Sequence, residues 1–320
     1  GNNYRMKELS QKRAVCAMPI AGSYRSIDFT LSNMSNSHIQ SVAVLTQYNA
    51  KSLSEHLSSS KWWDFGRKQG GLSVLSPVVT PESSNWYRGT ADAIYQNLDY
   101  MDSFNPEYVL ILSGDHIYKM DYEVMLDFHK QNKSECTIAV MPVPWEEAKR
   151  FGIMITDEER RITDFEEKPA NPKSNYAVPG LYFYDNRVVE YAKSLKPSKR
   201  GELEITDINQ IYLQNGDLDI RLMGRGFAWL DTGTVDSLMD AGNFVKTIET
   251  LQGIKISAPE EIAYNMHWIT KKKLVESANK YGKSSYGQHL MRVADGKILY
   301  ADKPGQRPHW GREDEEPKGK

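Results

Sequence analysis

The chain has 320 residues, 40 Lys and Arg against 42 Asp and Glu, a formal net charge of -2 and 40% hydrophobic residues. That length can bury a substantial core in one domain or two, and the balanced charge excludes the basic footprint of a nucleic-acid binder. No apolar run approaches the roughly 20 residues of a membrane span, Gly1-Asn-Asn-Tyr-Arg5 has no secretory apolar core, and Cys16 and Cys136 form neither a metal pattern nor a disulfide framework. A cytoplasmic globular protein with no nucleic-acid or membrane partner is expected. Because the sequence opens on Gly1 and not Met, a start cut away or replaced is expected too.

In chain order, residues 41–46 read as a buried strand, 49–58 as a helix, and 90–101 as a second helix behind the Gly89-Thr90 punctuation. Strand 108–113, helix 122–131 and strand 136–141 follow. Beyond the Pro-punctuated loop 169–174 come strand 180–184, helices 186–195 and 205–214, and strand 218–223. Residues 235–252 carry an amphipathic pattern through Leu238, Phe244, Val245, Ile248 and Leu251, and 270–280 read as a last helix. Strands alternating with helices of this length predict an α/β fold with a Rossmann-like, doubly wound, mostly parallel sheet, and their continuous apolarity fits a sheet covered on both faces. The expected division is 1–245 for the main domain, 246–293 for a small helical C-terminal extension, and 294–320 for a disordered tail rich in Pro, Gly and charge.

Four stretches could carry chemistry. In Ile111-Leu-Ser-Gly-Asp-His116 an apolar run ends on Asp115, which is either a turn residue or a carboxylate at the sheet edge where open α/β folds bind ligands. Asp231 closes a second such run, Ala228-Trp-Leu-Asp-Thr-Gly-Thr234. Two strand-end carboxylates can share one Mg²⁺ with substrate phosphates. Phe165-Glu-Glu-Lys-Pro169 is either a solvated charged face or a fixed Lys168 beside a Glu167 able to accept sugar hydroxyls. Asn85-Trp-Tyr-Arg-Gly-Thr-Ala-Asp92 is either a surface loop or an aromatic pair and Arg ahead of a helix start.

Residues 4–170 resemble the catalytic domain of bacterial ADP-glucose pyrophosphorylase (glucose-1-phosphate adenylyltransferase) through Tyr24-Arg-Ser-Ile-Asp-Phe-Thr-Leu-Ser-Asn33, Leu45-Thr-Gln-Tyr48, Trp86-Tyr-Arg-Gly-Thr-Ala-Asp-Ala93, Ser113-Gly-Asp-His-Ile-Tyr118 and Phe165-Glu-Glu-Lys-Pro169. Residues 176–293 resemble glucose-1-phosphate thymidylyltransferase through Gly180-Leu-Tyr-Phe-Tyr-Asp185, Arg200-Gly-Glu-Leu-Glu-Ile-Thr-Asp207, Gly226-Phe-Ala-Trp-Leu-Asp-Thr-Gly-Thr234, Pro259-Glu-Glu-Ile-Ala263 and Tyr286-Gly-Gln288. The two meet near Asn171 to Asn175, as in a hybrid, natural or assembled. The resemblance implies the nucleotide-diphospho-sugar transferase fold and attack of the glucose 1-phosphate oxygen on the α-phosphorus of ATP or dTTP, with release of pyrophosphate. It implies Mg²⁺ on Asp115 and Asp231, and Lys168 on the sugar phosphate. Glu167 would take the sugar hydroxyls, Gly152 and Val178 the pocket edge, and Tyr87, Arg88 and Gly89 the nucleotide, ATP being favoured. An oligomer is implied, of one chain or with a catalytic subunit.

The sequence also departs from both families. It begins near the end of their Gly-rich strand and loop, and Val15 stands where both place a phosphate-binding Lys. Weak activity is therefore expected, since loss of one such donor costs on the order of a hundredfold in rate. The rival reading is a non-catalytic regulatory or binding subunit. A substitute phosphate grip could come from residues 14–18 followed by Arg25. Without the first strand, residues 42–45 and 109–112 should close on each other or take 13–18 between them, with Val15 and Cys16 buried in either case. A glycosyltransferase is disfavoured because the strand end reads Gly-Asp-His and not Asp-x-Asp.

Overall fold

A computed structural model describes residues 4–59, 62–63, 71–77, 86–224, 226–300 and 309–310. Asn2, Asn3, Asn85 and, of the expected tail, residues 301–308 and 311–320 lie outside the described residues. Val15–Ala17 forms a single 3-10 turn. Next comes a hairpin, β1 (Pro19–Ile20) with β2 (Tyr24–Arg25), reversed through a three-residue loop, 21–23, in which Ala21 and Gly22 have φ values of 51° and 81°. α1 (Ser26–Asn36), β3 (Ser41–Leu45), α2 (Lys51–Ser59) and β4 (Gly71–Leu75) follow.

The helix expected over 90–101 is two, α3 (Thr90–Tyr95) and α4 (Leu98–Phe104). The break falls at Asn97, whose amide donates to Ala93 O (2.8 Å) and Tyr87 Oη (2.9 Å), a side chain competing with the helical ladder. β5 (Val109–Leu112), β6 (His116–Lys119), α5 (Tyr122–Gln131) and β7 (Cys136–Pro142) follow the expected order. Asp121 caps α5 by accepting from Glu123 N at 2.9 Å. α6 (Trp145–Ala148), β8 (Gly152–Thr156), β9 (Ile162–Glu167), β10 (Tyr176–Val178) and β11 (Leu181–Tyr184) lead into α7 (Val188–Ser194), α8 (Ile205–Asn215), β12 (Leu218–Leu222) and β13 (Ala228–Asp231). α9 (Val235–Gln252), α10 (Pro259–Asn265), α11 (Lys271–Tyr281) and α12 (Ser285–Ala294) close the folded part, and β14 (Leu299–Tyr300) pairs with β15 (His309–Trp310). α9 runs unbroken from Thr234, which accepts from Ser237 N, to the left-handed Gly253, so residues 245 and 246 share one helix.

The main sheet is mixed. Its order is β5-β11-β7-β10-β8-β9, with β12 beside β7. β5, β7 and β12 run in one direction, as expected, but β11 lies antiparallel between β5 and β7. The short connector Pro179-Gly180 makes β11 a continuation of β10, so both return antiparallel to β7 on the same side. Most pairings are therefore antiparallel, which corrects the expectation of a mostly parallel sheet. Strands β3 and β4 form a separate parallel pair, and β6 with β13 an antiparallel ribbon. Among the described residues β3 pairs only with β4 and β5 only with β11, so the two have not closed on each other. Residues 15–17 make a turn instead of a filling strand, with Val15 buried beside Met6 and Met18 and Cys16 half-buried.

The C-terminal helices are welded to the N-terminal hairpin. Ile20, Tyr24 and Phe29 share one apolar cluster with Ala241, Val245, Tyr264, Leu274, Tyr286, Leu290 and Ile298. Buried carboxylates serve as acceptors within it: Tyr24 Oη donates to Glu249 (2.6 Å), and Tyr286 and Tyr281 donate to Glu260 (2.6 and 3.0 Å). Burial pushes the Glu260 carboxyl above its ordinary value of 4.5, against the two tyrosine hydroxyls that favour its charged form. A raised folded value means a stabilising contribution that is complete below the unfolded pKa and is lost as pH rises through the folded one. Relative to the parent, Glu260→Gln should therefore gain stability as pH is raised from 4.5 towards neutrality, measured as the difference in urea-unfolding free energy. A difference flat across that range would contradict the assignment.

Candidate functional site

The β6–β13 ribbon carries both strand-end aspartates. Asp231 lies opposite His116, and on the next rung Thr232 N and Oγ1 donate to Asp115 O (3.1 and 2.7 Å), so the two acids stand on adjoining rungs. Among the described residues the Asp115 carboxylate receives no hydrogen bond, whereas Asp231 is engaged on both oxygens. Its Oδ1 accepts from Gly233 N (2.8 Å) and its Oδ2 from Arg150 Nη2 (2.7 Å). His116 Nδ1 lies 3.1 Å from Trp229 Nε1, from Tyr118 Oη and from Pro179 O alike, and its Nε2 lies 3.8 Å from Asp231 Oδ1. Burial, with Asp115 next, pushes the Cys16 thiol up to about 12, so it takes no part as a thiolate. No group of three or more candidate metal-ligating side chains occurs among the described residues.

A second group forms across three strands. Gly152 on β8 pairs with Glu167 on β9 and with Val178 on β10, so three residues scattered in sequence share one rung. A Cβ at Gly152 would meet Glu167 Oε2 at 3.1 Å, Thr206 Oγ1 at 3.5 Å and Val178 Cβ at 4.0 Å; the glycine keeps the pocket floor open. Thr206, at the start of α8, donates to Glu167 Oε2 (2.6 Å), and Arg200 and Lys168 approach Glu167 Oε1 at 3.6 and 3.3 Å. Lys168 has φ 44° immediately before Pro169, a backbone conformation disfavoured for a non-glycine and more so before proline. Its N–H bonds Phe151 O at 3.0 Å, which holds the strained residue and aims its side chain. Burial raises the Glu204 carboxyl, offset by Ser198 and Arg200, and burial followed by the Glu167 charge raises that of Asp207.

Tyr87, Arg88 and Gly89 form a third group. Gln47 clamps the Tyr87 backbone, donating to its carbonyl (3.3 Å) and accepting from its N–H (2.8 Å). Trp86 stacks on Tyr48 with centroids 4.9 Å apart, both rings exposed. Gly89 was expected to face the nucleotide, but its smallness has a nearer cause. At φ 127° a Cβ there would lie 2.4 Å from Leu203 O. Leu203 N donates to Arg88 O (2.6 Å) and Ala91 N to Leu203 O (3.1 Å), so the 86–91 segment is stitched to the segment bearing Arg200, Glu204 and Thr206.

Two links thus join the three groups: the Leu203 stitch, and Arg150-Phe151, which leads into β8 and reaches Asp231. Arg150, Arg200, Thr206, His116 and Gln47 carried no role in the sequence. Arg200 stood inside a quoted motif, and Arg150 two residues before Gly152, but only strand register shows what they touch. Gly89→Ala should lower the melting temperature and raise amide exchange at 86–91 and 200–206 together; exchange raised in one segment alone would mean that the stitch does not couple them.

The family described as nucleotidyl transferase matches residues 1–248. A glucose-1-phosphate adenylyltransferase of Clostridioides difficile (strain 630) is 46% identical over 256 residues, covering 78% of this chain and 66% of that protein. Those of Lachnospira eligens and Clostridium novyi (strain NT) are 47% identical over 241 residues and 43% over 275, covering 75% and 84% of this chain and 57% and 68% of theirs. The chain thus spans about two thirds or less of the length of these relatives. A match over 84% of the chain crosses residues 171–175, so likeness to adenylyltransferases is not confined to the first 170 residues. No helix among the described residues is long and apolar enough to cross a membrane. With the fold, the shared rung and these matches together, the chain belongs to the nucleotidyl transferase family, among relatives of the glucose-1-phosphate adenylyltransferases.

Proposed function

We propose that the chain binds a nucleoside triphosphate and glucose 1-phosphate and forms nucleoside-diphosphate glucose with release of pyrophosphate, slowly, with ATP preferred to dTTP. The observation that carries this is the rung Gly152–Glu167–Val178, closed by Lys168, Arg200 and Thr206. It offers a carboxylate and a hydroxyl for sugar hydroxyls beside two cations for a phosphate. Lys168 and Arg200 hold the sugar phosphate, and the Trp86–Tyr48 stack offers an apolar ring face to the base. Asp115, its carboxylate open, fits a hard cation, and Asp231 on the adjoining rung would be its second holder. Mg²⁺ there would offset triphosphate charge. The functional unit takes in both 1–245 and 246–293, the helical extension that α9 joins to it, in a cytoplasmic oligomer of one chain or with a catalytic subunit.

A second reading, a regulatory or binding subunit, has its own support. Val15 packs against Met6 and Met18, and Arg25, the candidate substitute for a phosphate grip, spends Nη1 on Ala17 O (2.7 Å) and Ser52 Oγ (3.1 Å). Isothermal titration with ATP and glucose 1-phosphate, followed by a pyrophosphate assay, separates the two. Binding with slow release is expected; binding with none selects the second reading, and failure to bind either ligand sinks both. Asp115→Asn and Lys168→Ala should each cut release by about a hundredfold with an unchanged melting temperature, Lys168→Ala also weakening glucose 1-phosphate binding. Parental rates in either variant would remove that residue from the site.

A further inference from the structure

The ion pair between Arg150 and Asp231 engages one of the two proposed metal carboxylates, and it is built rather than incidental. Arg150 Nη2 lies 2.7 Å from Asp231 Oδ2, and Nη1 pairs with Glu147 from α6. The guanidinium also lies over the Phe151 ring, 5.4 Å from its centroid. Phe151 in turn packs at 4.7 Å against Trp229, two residues before Asp231 on β13. Both partners are largely buried, with side chains 22% and 10% exposed. The Arg150 Nε is buried without an acceptor among the described residues, so the guanidinium is held by charge and stacking and not by a full set of hydrogen bonds.

We propose that Arg150 is a built-in counter-cation for Asp231, occupying the carboxylate in the free protein and competing there with a divalent cation. This rests on the reading of Asp115 and Asp231 as the metal carboxylates. With Arg150 in place Asp115 and Asp231 present one net negative charge to an incoming ion instead of two, Glu147 being 41% exposed and screened by water. One unit charge acting on a divalent ion from about 5 Å changes affinity roughly tenfold even with water-like screening, and more where water is excluded. Asp115 alone then carries what affinity the free protein has, and a metal reaches Asp231 only when it arrives with the charge of a triphosphate.

The test is binding of Mn²⁺ alone, read from the loss of the free-ion electron paramagnetic resonance signal, without nucleotide. Arg150→Gln should bind Mn²⁺ about tenfold or more tightly than the parent, and Arg150→Lys, which keeps the charge, as weakly as the parent. Asp231→Asn should remove the gain from Arg150→Gln, yet in the parent weaken binding by about tenfold at most, the effect of one charge, because its carboxylate is held by Arg150 and does not ligate the ion. That last comparison needs no Arg150 variant, so it decides the matter even if Arg150→Gln fails to fold. The proposal is overturned if Arg150→Gln gains nothing, if Arg150→Lys gains as much, or if Asp231→Asn alone abolishes binding. Parental Mn²⁺ affinity in Asp115→Asn would instead overturn the metal reading on which it rests.

Discussion

The two aspartates of the candidate site depend on how helix α1 meets the β6–β13 ribbon. A two-stranded ribbon leaves one edge of β6 with unpaired carbonyls, and in a buried setting each such group costs about 1–3 kcal/mol. α1 supplies the missing donors from a stripe of short polar side chains. Asn33 Nδ2 bonds Tyr118 O at 2.8 Å, Thr30 Oγ1 reaches His116 O at 3.4 Å, and Ser26 Oγ meets Thr232 Oγ1 at 3.0 Å. Ser26, Thr30 and Asn33 fall at helical spacing, so one face of α1 acts as a third strand for the ribbon. The helix is itself fixed by buried Asp28, which accepts from Arg25 N (2.8 Å) and His56 Nε2 (2.6 Å). Asp115 and Asp231 are therefore set by a helix from which, among the described residues, their carboxylates take no hydrogen bond.

The group around Glu167 obeys a different constraint. Strand register fixes Gly152, Glu167 and Val178 on one rung, but Lys168 must leave the strand and project from its end. A left-handed backbone ahead of proline does this, at a cost of order 1–3 kcal/mol that ordinary structural residues do not carry. Ladder rigidity and local strain are thus divided between neighbours, one holding the pocket and the other aiming its charge.

The order of elements was readable because periodicity and punctuation are local. Helices 122–131 and 235–252 coincide with α5 and α9, and strands 41–46, 108–113 and 136–141 with β3, β5 and β7 to within a residue or so at each end. The direction of β11 was not readable, since a four-residue apolar run says nothing about which neighbour it joins. Nor was the partnership of Asp231 with Arg150, 81 positions apart (231 − 150), or the real reason for Gly89. In the stretch Trp86 to Asp92 the glycine looked like a ligand contact, and only the chain running past it at Leu203 shows a steric need. The 71–75 strand escaped because Gly-Leu-Ser-Val-Leu is too short to stand out from its loop.

The Leu203 stitch also says something about the order in which the molecule is made. Leu203 and Arg88 are 115 positions apart (203 − 88), and the chain between them contains most of the main sheet. Bringing the ends of so long a loop together costs about 4 kcal/mol in chain entropy, far more than two backbone hydrogen bonds return on their own. The stitch can form only after the intervening strands have already brought its ends close. The lip that joins the Trp86 side to the Glu167 side is thus held by the packing of Leu203, buried with Ala91, Ile94 and Ile205, as much as by its hydrogen bonds, and it closes together with that cluster.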